Sequence, residues 1–344
     1  MLRSLLVDSS KKLILWMLFM LVILFIAGMW ILSSLNLNYS EDTIGEVRQK
    51  QIEETFFNNL NQIVQTQSTL ERDTTDLARI GSLFAELFAS QRNSQVFNTE
   101  LSVMLQAKLN DFKNTSAVGI WFLPEHVSQG AKPISRYAFR DQTASIEVLT
   151  ESNSQLLSFE QQHWFNLTDM AAVEDVDIQR DEIYWTPAYY NEITDSAVLT
   201  LIKPVLNSQQ QVVGYATTDW EADQIVDLVS QVSITPNTFA LLIDKNKRKL
   251  SSLSRLNNER YAQKIIDSVM SQEFIELQFN NAISRLQTSQ QKALLQTHQF
   301  TVDDNEYVLY AATTPAQMLF AVGVPKNEID AVIAPMRVIN QRIL

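Results

Sequence analysis

The sequence predicts an α+β protein with an N-terminal transmembrane helix, a long stalk helix, and two tandem modules, each built on a central antiparallel sheet. Three observations carry this reading. Residues 13 to 32 are twenty consecutive uncharged and almost wholly apolar positions in an otherwise polar chain. The next fifty or so residues repeat apolar side chains at steps of three and four with no proline among them. Beyond residue 115 the period changes to short apolar or alternating runs bounded by turn residues, in an order that occurs twice.

The apolar run, at about 1.5 Å of rise per residue, spans roughly 30 Å, the thickness of a bilayer's hydrocarbon core. Arg3, Lys11 and Lys12 precede it, and Glu41, Asp42 and Glu46 follow it. Positive flanks stay cytoplasmic, so residues 1–12 are read as cytoplasmic, 13–35 as the span, and the bulk as exported across a bacterial inner membrane. A cleaved signal peptide has an apolar region of about 7 to 15 residues and a small-residue cleavage site. This run is longer, and Ile31-Leu32-Ser33-Ser34-Leu35-Asn36 offers no Ala-x-Ala site. The membrane contact is therefore expected through an uncleaved anchor, Leu13 to Leu32.

The chain carries 27 basic and 39 acidic residues, a net of −12. Setting aside Arg3, Lys11, Lys12 and Asp8 leaves 24 and 38 in the exported part, a net of −14. Such a surface repels nucleic acid, which is not expected as a partner. Cysteine is absent, which excludes structural disulfides, thiolate zinc sites and cysteine nucleophiles. The seven glycines make no GxGxxG or GxxxxGK[ST] loop, so phosphate-cradling nucleotide sites are excluded. His126, His163 and His298 form no HExxH pair, and neither a metal nor a cofactor is expected.

The elements follow in order. From Asp42 to about Arg92, Ile44, Val47, Ile52, Phe56, Leu60, Ile63 and Val64 recur at helical spacing, giving a stalk over 36–92. Its apolar stripe must bury itself either on the following module or on a second copy of the chain, and a homodimer through this helix is the expected assembly. A further helix covers Ser94 to Phe112. Ala117 to Phe122 and Ser135 to Arg140 read as strands, Phe159 to Asn166 as a short helix, Tyr184-Trp185 as a strand, and Ser196 to Val205 with Gln211 to Trp220 as a hairpin. After a connecting helix, Glu221 to Gln231, the order begins again: strands at Thr238 to Ile243 and Lys249 to Leu253, a helix-rich insert to about Gln291, a hairpin of Gln299 to Val302 with Tyr307 to Thr313, and a closing strand from Met318 to Val324. The modules are placed at 93–232 and 233–325, with a helix over 326–344 expected to lead into a second span.

The pieces that carry a family resemblance are Trp121-Phe122-Leu123-Pro124, Arg136-Tyr137-Ala138-Phe139-Arg140, His163-Trp164-Phe165, Tyr184 to Tyr190, Leu201 to Val205 with Val212 to Tyr215, and Tyr307 to Thr313 with Val322 to Pro325. In that order, behind a basic start and a span, they resemble the double Cache sensor regions, tandem PAS-like modules, of bacterial chemoreceptors, sensor histidine kinases and cyclic-dinucleotide enzymes. The resemblance covers about residues 36 to 335. It implies that the membrane-distal module, the first in sequence, holds a small molecule between its sheet and the loops above.

Candidate pocket residues combine aromatic walls with a few orienting polar groups: Trp121, Tyr137, Phe139, Arg140, Trp164, Trp185, Tyr189, Asn191, Thr218 and Asp219. Strand alternation puts Arg136 and Arg140 on one face, Tyr137 and Phe139 on the other. A planar guanidinium suits a ligand carboxylate. Amino-acid-binding members of the family carry an arginine two before the tryptophan, a tyrosine and an aspartate on the next strand, and a further aspartate after the hairpin. Trp164 and Tyr189 match that pattern. The arginine position reads Gln162, the first aspartate reads Asn191, and the second falls at Ala216, with Asp219 out of register by three. On that count no charged clamp survives at either end, which disfavours a free α-amino acid and leaves another carboxylate, an amide, a sugar or a purine open.

Three function classes are thereby set against one another. Signal reception would move the C-terminal helix relative to the stalk and drive a cytoplasmic kinase, methyl-accepting domain or cyclase. A scaffold would bind another exported protein. An anchored hydrolase would use His163 with Asp169, or Glu174, Asp175 and Asp177; no nucleophile elbow is present, and Glu174 to Asp177 lacks the glycine and terminal glutamate of a calcium loop, so no catalysis is expected in these residues.

Overall fold

The computed structural model describes residues 2–91, 94–123, 135–141, 143–149, 162–167, 182–243, 249–254, 259–270, 295–316 and 318–331. Span and stalk are one continuous helix, α1 (Leu2–Gln91). Leu15–Leu35 is the one stretch among the described residues long and apolar enough to cross a membrane, and no part of that window is buried. Further along, α1 is rich in threonine, a residue that competes with helix by bonding its own backbone. The hydroxyls of Thr55, Thr66, Thr69, Thr74 and Thr75 settle that competition by donating to the carbonyl four residues earlier.

From Ile52 onward α1 buries one stripe, Ile52, Phe56, Leu60, Ile63, Gln67, Leu70, Thr74 and Leu77. Glu54, Asn58, Asn61, Gln65, Ser68 and Arg72 face solvent on the other side. The stripe thus starts later than its spacing predicts, since Val47 is 50% exposed. It is covered by the chain's own sheets, because α1 packs along the strands Ser196–Leu206 and Val212–Glu221 of the first and touches Asn305–Thr313 of the second.

Helix α2 (Ser94–Asp111) turns back against α1, with Phe97 edge-on to Phe84 at 5.4 Å. Strands β1 (Ala117–Phe122), β2 (Ser135–Arg140), β3 (Ile146–Val148), β4 (Tyr184–Trp185), β5 (Tyr189–Asn191), β6 (Ser196–Leu206) and β7 (Val212–Glu221) form the first sheet. Its order is β3-β2-β1-β7-β6-β4, with β5 also pairing β6. The short helix α3 (His163–Leu167) lies between β3 and β4 in the chain. Strands β3 and β5 have only three residues each, too few to leave a period in the sequence. The β6–β7 turn is set by Asn207, whose side-chain oxygen accepts from the amides of Gln209 and Gln211 at 3.0 and 2.8 Å.

Helix α4 (Ala222–Ser230) leads into the second sheet, β8 (Phe239–Ile243), β9 (Lys249–Ser254), β10 (Gln296–Val302), β11 (Asn305–Thr313) and β12 (Leu319–Pro325), ordered β10-β11-β12-β8-β9. Helices α5 (Glu259–Met270) and α6 (Lys326–Asp330) complete it. The β10–β11 hairpin closes through Asp303 and Asp304, both at positive φ (47° and 65°), the backbone of a tight primed turn. The expected turn at 244–247, most of the insert to Gln291 and the run from 332 to 344 lie outside the described residues.

The strands of the first sheet fall within 93–232 and those of the second within 233–325, yet one apolar cluster serves both. Around Phe56, Leu60 and Leu70 of α1 it gathers Trp185, Leu199, Leu201 and Trp220 from the first sheet with Ala240, Leu242, Tyr310, Phe320 and Val322 from the second. Phe56 stacks on Phe320 with ring centroids 5.2 Å apart.

Candidate ligand-binding site

Alternation along the first sheet gives it two faces of different chemistry. Pairing sets Asp219 opposite both Ala117 and Thr200, Thr217 opposite Gly119 and Ile202, and Tyr215 opposite Trp121. On the outer face these residues meet Tyr137, Phe139 and Trp164 in a cluster separate from the helix-facing core. Trp121 lies 5.7 Å from Tyr137 and 5.7 Å from Trp164 between ring centroids, and Trp164 is 6.0 Å from Tyr215. Gly119 makes this wall possible. A Cβ there would sit 2.4 Å from the Trp121 Nε1 and 2.7 Å from the Thr217 Oγ1, so its absence lets the indole fold back along its own strand. The Trp121 Nε1 then donates to Thr217 Oγ1 at 2.8 Å.

At the end of the wall stands the Asp219 carboxylate, 2% exposed. Tyr137 Oη donates to its Oδ2 at 2.6 Å, and Asn191 Nδ2 donates to the same oxygen at 3.2 Å and to Tyr137 Oη at 3.0 Å. Thr200 Oγ1 donates to Oδ1 at 2.7 Å. Since that hydroxyl has one proton, the 2.7 Å contact between Tyr189 Oη and Thr200 Oγ1 must run from the tyrosine. Two arms of donors thus converge on one anion, Tyr189 through Thr200 and Asn191 through Tyr137.

Burial dominates the electrostatics. It pushes the Asp219 carboxyl up to about 6 against the pull of its bonds from Tyr137, Thr200 and Asn191. Burial and the nearby Asp219 together raise the Tyr137 and Tyr189 phenols well above their ordinary value. Both tyrosines therefore stay neutral donors at physiological pH. Among the described residues Arg136, Arg140 and Lys203 of the sheet turn to the helix side, and the His163 ring lies 5.9 Å from that of Tyr189.

Of the ten residues read from the sequence, the structure brings together Trp121, Tyr137, Phe139, Trp164, Tyr189, Asn191 and Asp219. Arg140, Trp185 and Thr218 belong to the opposite, helix-facing layer. The Arg140 guanidinium donates to the Leu109 and Phe112 carbonyls at the end of α2, where a cation meets unsatisfied backbone oxygens. Trp185 donates from Nε1 to Glu71 Oε1 at 3.0 Å and packs edge-on to Trp220. Thr218 Oγ1 lies 2.6 Å from Thr74 Oγ1 of α1.

Ala216, the position to which the family pattern counts, faces the helices, while Asp219 lies within hydrogen-bond reach of Asn191. Thr200, Thr217 and Tyr215 were missed. Parity along β7 puts 215, 217 and 219 on one face, but counting outward from the Asn207 turn would set Thr200 opposite Thr218; the irregularity at Val205/Leu206 shifts the register by one and brings Thr200 opposite Asp219. Asp169, Glu174, Asp175 and Asp177 lie outside the described residues.

Residues 101–227 match the family model described as methyl-accepting chemotaxis protein-like, first PDC sensor domain. No curated protein matches the chain. Among solved structures, "Methyl-accepting Chemotaxis protein X" is similar over 83% of this chain and 99% of its own, at 14% identity and a TM-score of 0.55. The ligand binding domain of Mlp24 with asparagine is similar over 85% and 99%, at 12% identity and a TM-score of 0.50. The sensory domain of the Campylobacter jejuni chemoreceptor Tlp3 with isoleucine bound is similar over 85% and 98%, at 12% identity and a TM-score of 0.50.

Proposed function

We propose that this chain, whose fold is that of the Cache-type sensor of a receptor, is the extracytoplasmic sensing region of a bacterial transmembrane signalling protein. A small molecule is received on the outer face of the first, membrane-distal sheet, and its binding drives a cytoplasmic output domain of kinase, methyl-accepting or cyclase type. The observation that carries this reading is the buried Asp219 network set into an aromatic wall, because polar groups are kept together in an apolar surround where they recognise something.

The same strand gives a route for the signal. Asp219 faces the site, while its neighbours Thr218 and Trp220 face the other way, Thr218 onto Thr74 and Trp220 into the apolar cluster around α1. That helix is continuous with the span. A ligand that favours one position of β7 thereby favours one position of the membrane helix. The structures of similar fold that hold asparagine and isoleucine are a ligand binding domain and a chemoreceptor sensory domain, which supports small-molecule capture.

The test is a thermal-shift screen of the full chain in lipid nanodiscs against a library of small metabolites. A ligand present at about a hundred times its Kd adds about 2.7 kcal/mol to the folded state. Trp164→Ala and Tyr189→Ala should each abolish a hit's shift while leaving the unliganded transition cooperative. A hit that survives both variants places the site elsewhere. A library without any hit, together with capture of another exported protein, returns the scaffold reading.

A further inference from the structure

Resting on the sensing role proposed for the first sheet, we infer that Glu328 and Asn237 form a latch between α6, the helix that leaves the second sheet, and the linker that joins the two sheets. Through it a movement of β7 reaches α6 around the second sheet rather than across it. The topology sets this up. β8 is the first strand of the second sheet and β12 the last, and they pair directly, Phe239 opposite Gly323. The chain therefore enters that sheet beside the point where it leaves, although Asn237 and Glu328 are 91 residues apart.

The linker is built to carry displacement. β7 passes at Glu221 straight into α4, and Ile225, Val229 and Val232 set the linker into the apolar cluster that also holds Trp220. A locked turn then leads into β8. The Thr238 amide donates to the Thr235 carbonyl at 3.2 Å, and the Thr235 amide donates back to Thr238 Oγ1 at 2.7 Å, with both threonines buried. Pro236 and Asn237 take the two central positions, the first of which proline presets. Asn237 is thus fixed in place, and its backbone N–H and Nδ2 donate to the two different oxygens of Glu328.

α6 has few other holds among the described residues. It follows β12 without a side-chain cap, and none of its residues is buried. Ile329 reaches the apolar cluster but is only partly covered by it. Lys326 pairs with Glu306 at 2.6 Å, yet the two side chains are 42% and 57% exposed, a setting in which an ion pair contributes little. A polar cleft of about 510 Å³ between α6, Asn237 and the β10–β11 turn leaves the helix room to shift. Two bonds onto one partly buried carboxylate, strengthened by its charge, therefore decide where α6 sits. Such an element has the two positions a switch needs, engaged and released.

The experiment uses the full chain in lipid nanodiscs. Because the chain has no cysteine, nitroxide labels can be placed at Glu54→Cys on the solvent side of α1 and at Asn327→Cys on α6, both exposed positions, and their separation measured by pulsed electron resonance. The latched protein should give one narrow distance distribution. Glu328→Ala, which removes both acceptors, should at least double its width; Asn237→Ala, which keeps the backbone donor, should widen it less, and Glu328→Gln, which keeps one acceptor oxygen, should fall between. For the route, Ile225→Ala loosens α4 near its junction with β7. It should shift the distance at least twice as far in the presence of Glu328 as in Glu328→Ala. Val229→Ala, a smaller cut on the same helix face, takes its place should Ile225→Ala fold poorly. An unchanged distribution in Glu328→Ala would overturn the latch. Equal shifts with and without Glu328 would overturn the route, since the second sheet would then be carrying the movement. None of these measurements calls for a ligand, so a failed metabolite screen beside an intact latch strikes only the sensing role, and a failed latch leaves that role standing.

Discussion

Thr74 Oγ1 lies 2.6 Å from Thr218 Oγ1, a buried contact between the long helix α1 and the strand that carries Asp219. Thr74 also donates to the Leu70 carbonyl at 2.7 Å. With its one proton committed there, Thr218 is the donor of the pair. Replacing Thr74 by valine leaves that buried donor unmatched, at a cost of about 1 to 3 kcal/mol. The double variant Thr74→Val/Thr218→Val should cost less than the two single changes together. Denaturant unfolding of the four proteins measures the coupling, expected at about 1 kcal/mol. Strictly additive effects would mean the two hydroxyls do not hold α1 to β7.

The Asp219 carboxyl, pushed up to about 6 from an ordinary 3.8, makes stability depend on pH. Its folded-state value lies above the unfolded one, so the folded protein binds this proton more tightly. The contribution, about 3 kcal/mol, is complete below pH 4 and is lost as pH rises through 6. The unliganded protein should therefore lose stability between pH 4 and pH 7 relative to Asp219→Asn, whose stability lacks this step. Parallel pH profiles for the two proteins would show that the carboxyl is not perturbed by burial.

Gly119 has no room for even one carbon. Gly119→Ala would drive the Trp121 indole off the strand and break its bond to Thr217. Overpacking typically costs about 1 to 3 kcal/mol and a buried hydrogen bond about 1 more. A smaller ring should restore part of the loss, so Gly119→Ala/Trp121→Phe should be less damaging than the sum of its parts. Thermal unfolding decides it, and an alanine that costs nothing would mean the indole lies elsewhere.

How far the sequence made all this legible depends on the range of the interaction involved. Local periodicity was enough for α1, α2, β1, β2 and the β6–β7 hairpin, because each repeats its apolar side chains over six residues or more. Seven of the ten candidates lie together on one face of the first sheet, aromatic and amide groups near strands. Arg140, Trp185 and Thr218 were misplaced for one shared reason. Residue type suggested ligand chemistry, but parity along the strand turned each toward the helices, where Arg140 meets α2 and the other two meet α1. Counting along the chain puts Asp219 three positions from the family pattern. Pairing across the sheet sets it opposite Thr200 and beside Asn191, a relation visible only once the register is known.

Two sheets in tandem suggest two folding units, but the side chains between them argue otherwise. Phe56 stacks on Phe320 of the second sheet within the same apolar cluster that contains Leu199, Leu201 and Trp220 of the first. Separating the sheets would expose that cluster along α1, and the hydrophobic cost opposes it. Removing the Phe56 ring leaves a cavity and should cost about 3 to 5 kcal/mol. Because the cavity borders both sheets, amide exchange in β6–β7 and in β11–β12 should accelerate together in Phe56→Ala, by similar factors. Acceleration confined to β11–β12 would mean the sheets open independently, and a displacement of β7 would then reach the second sheet only through α4.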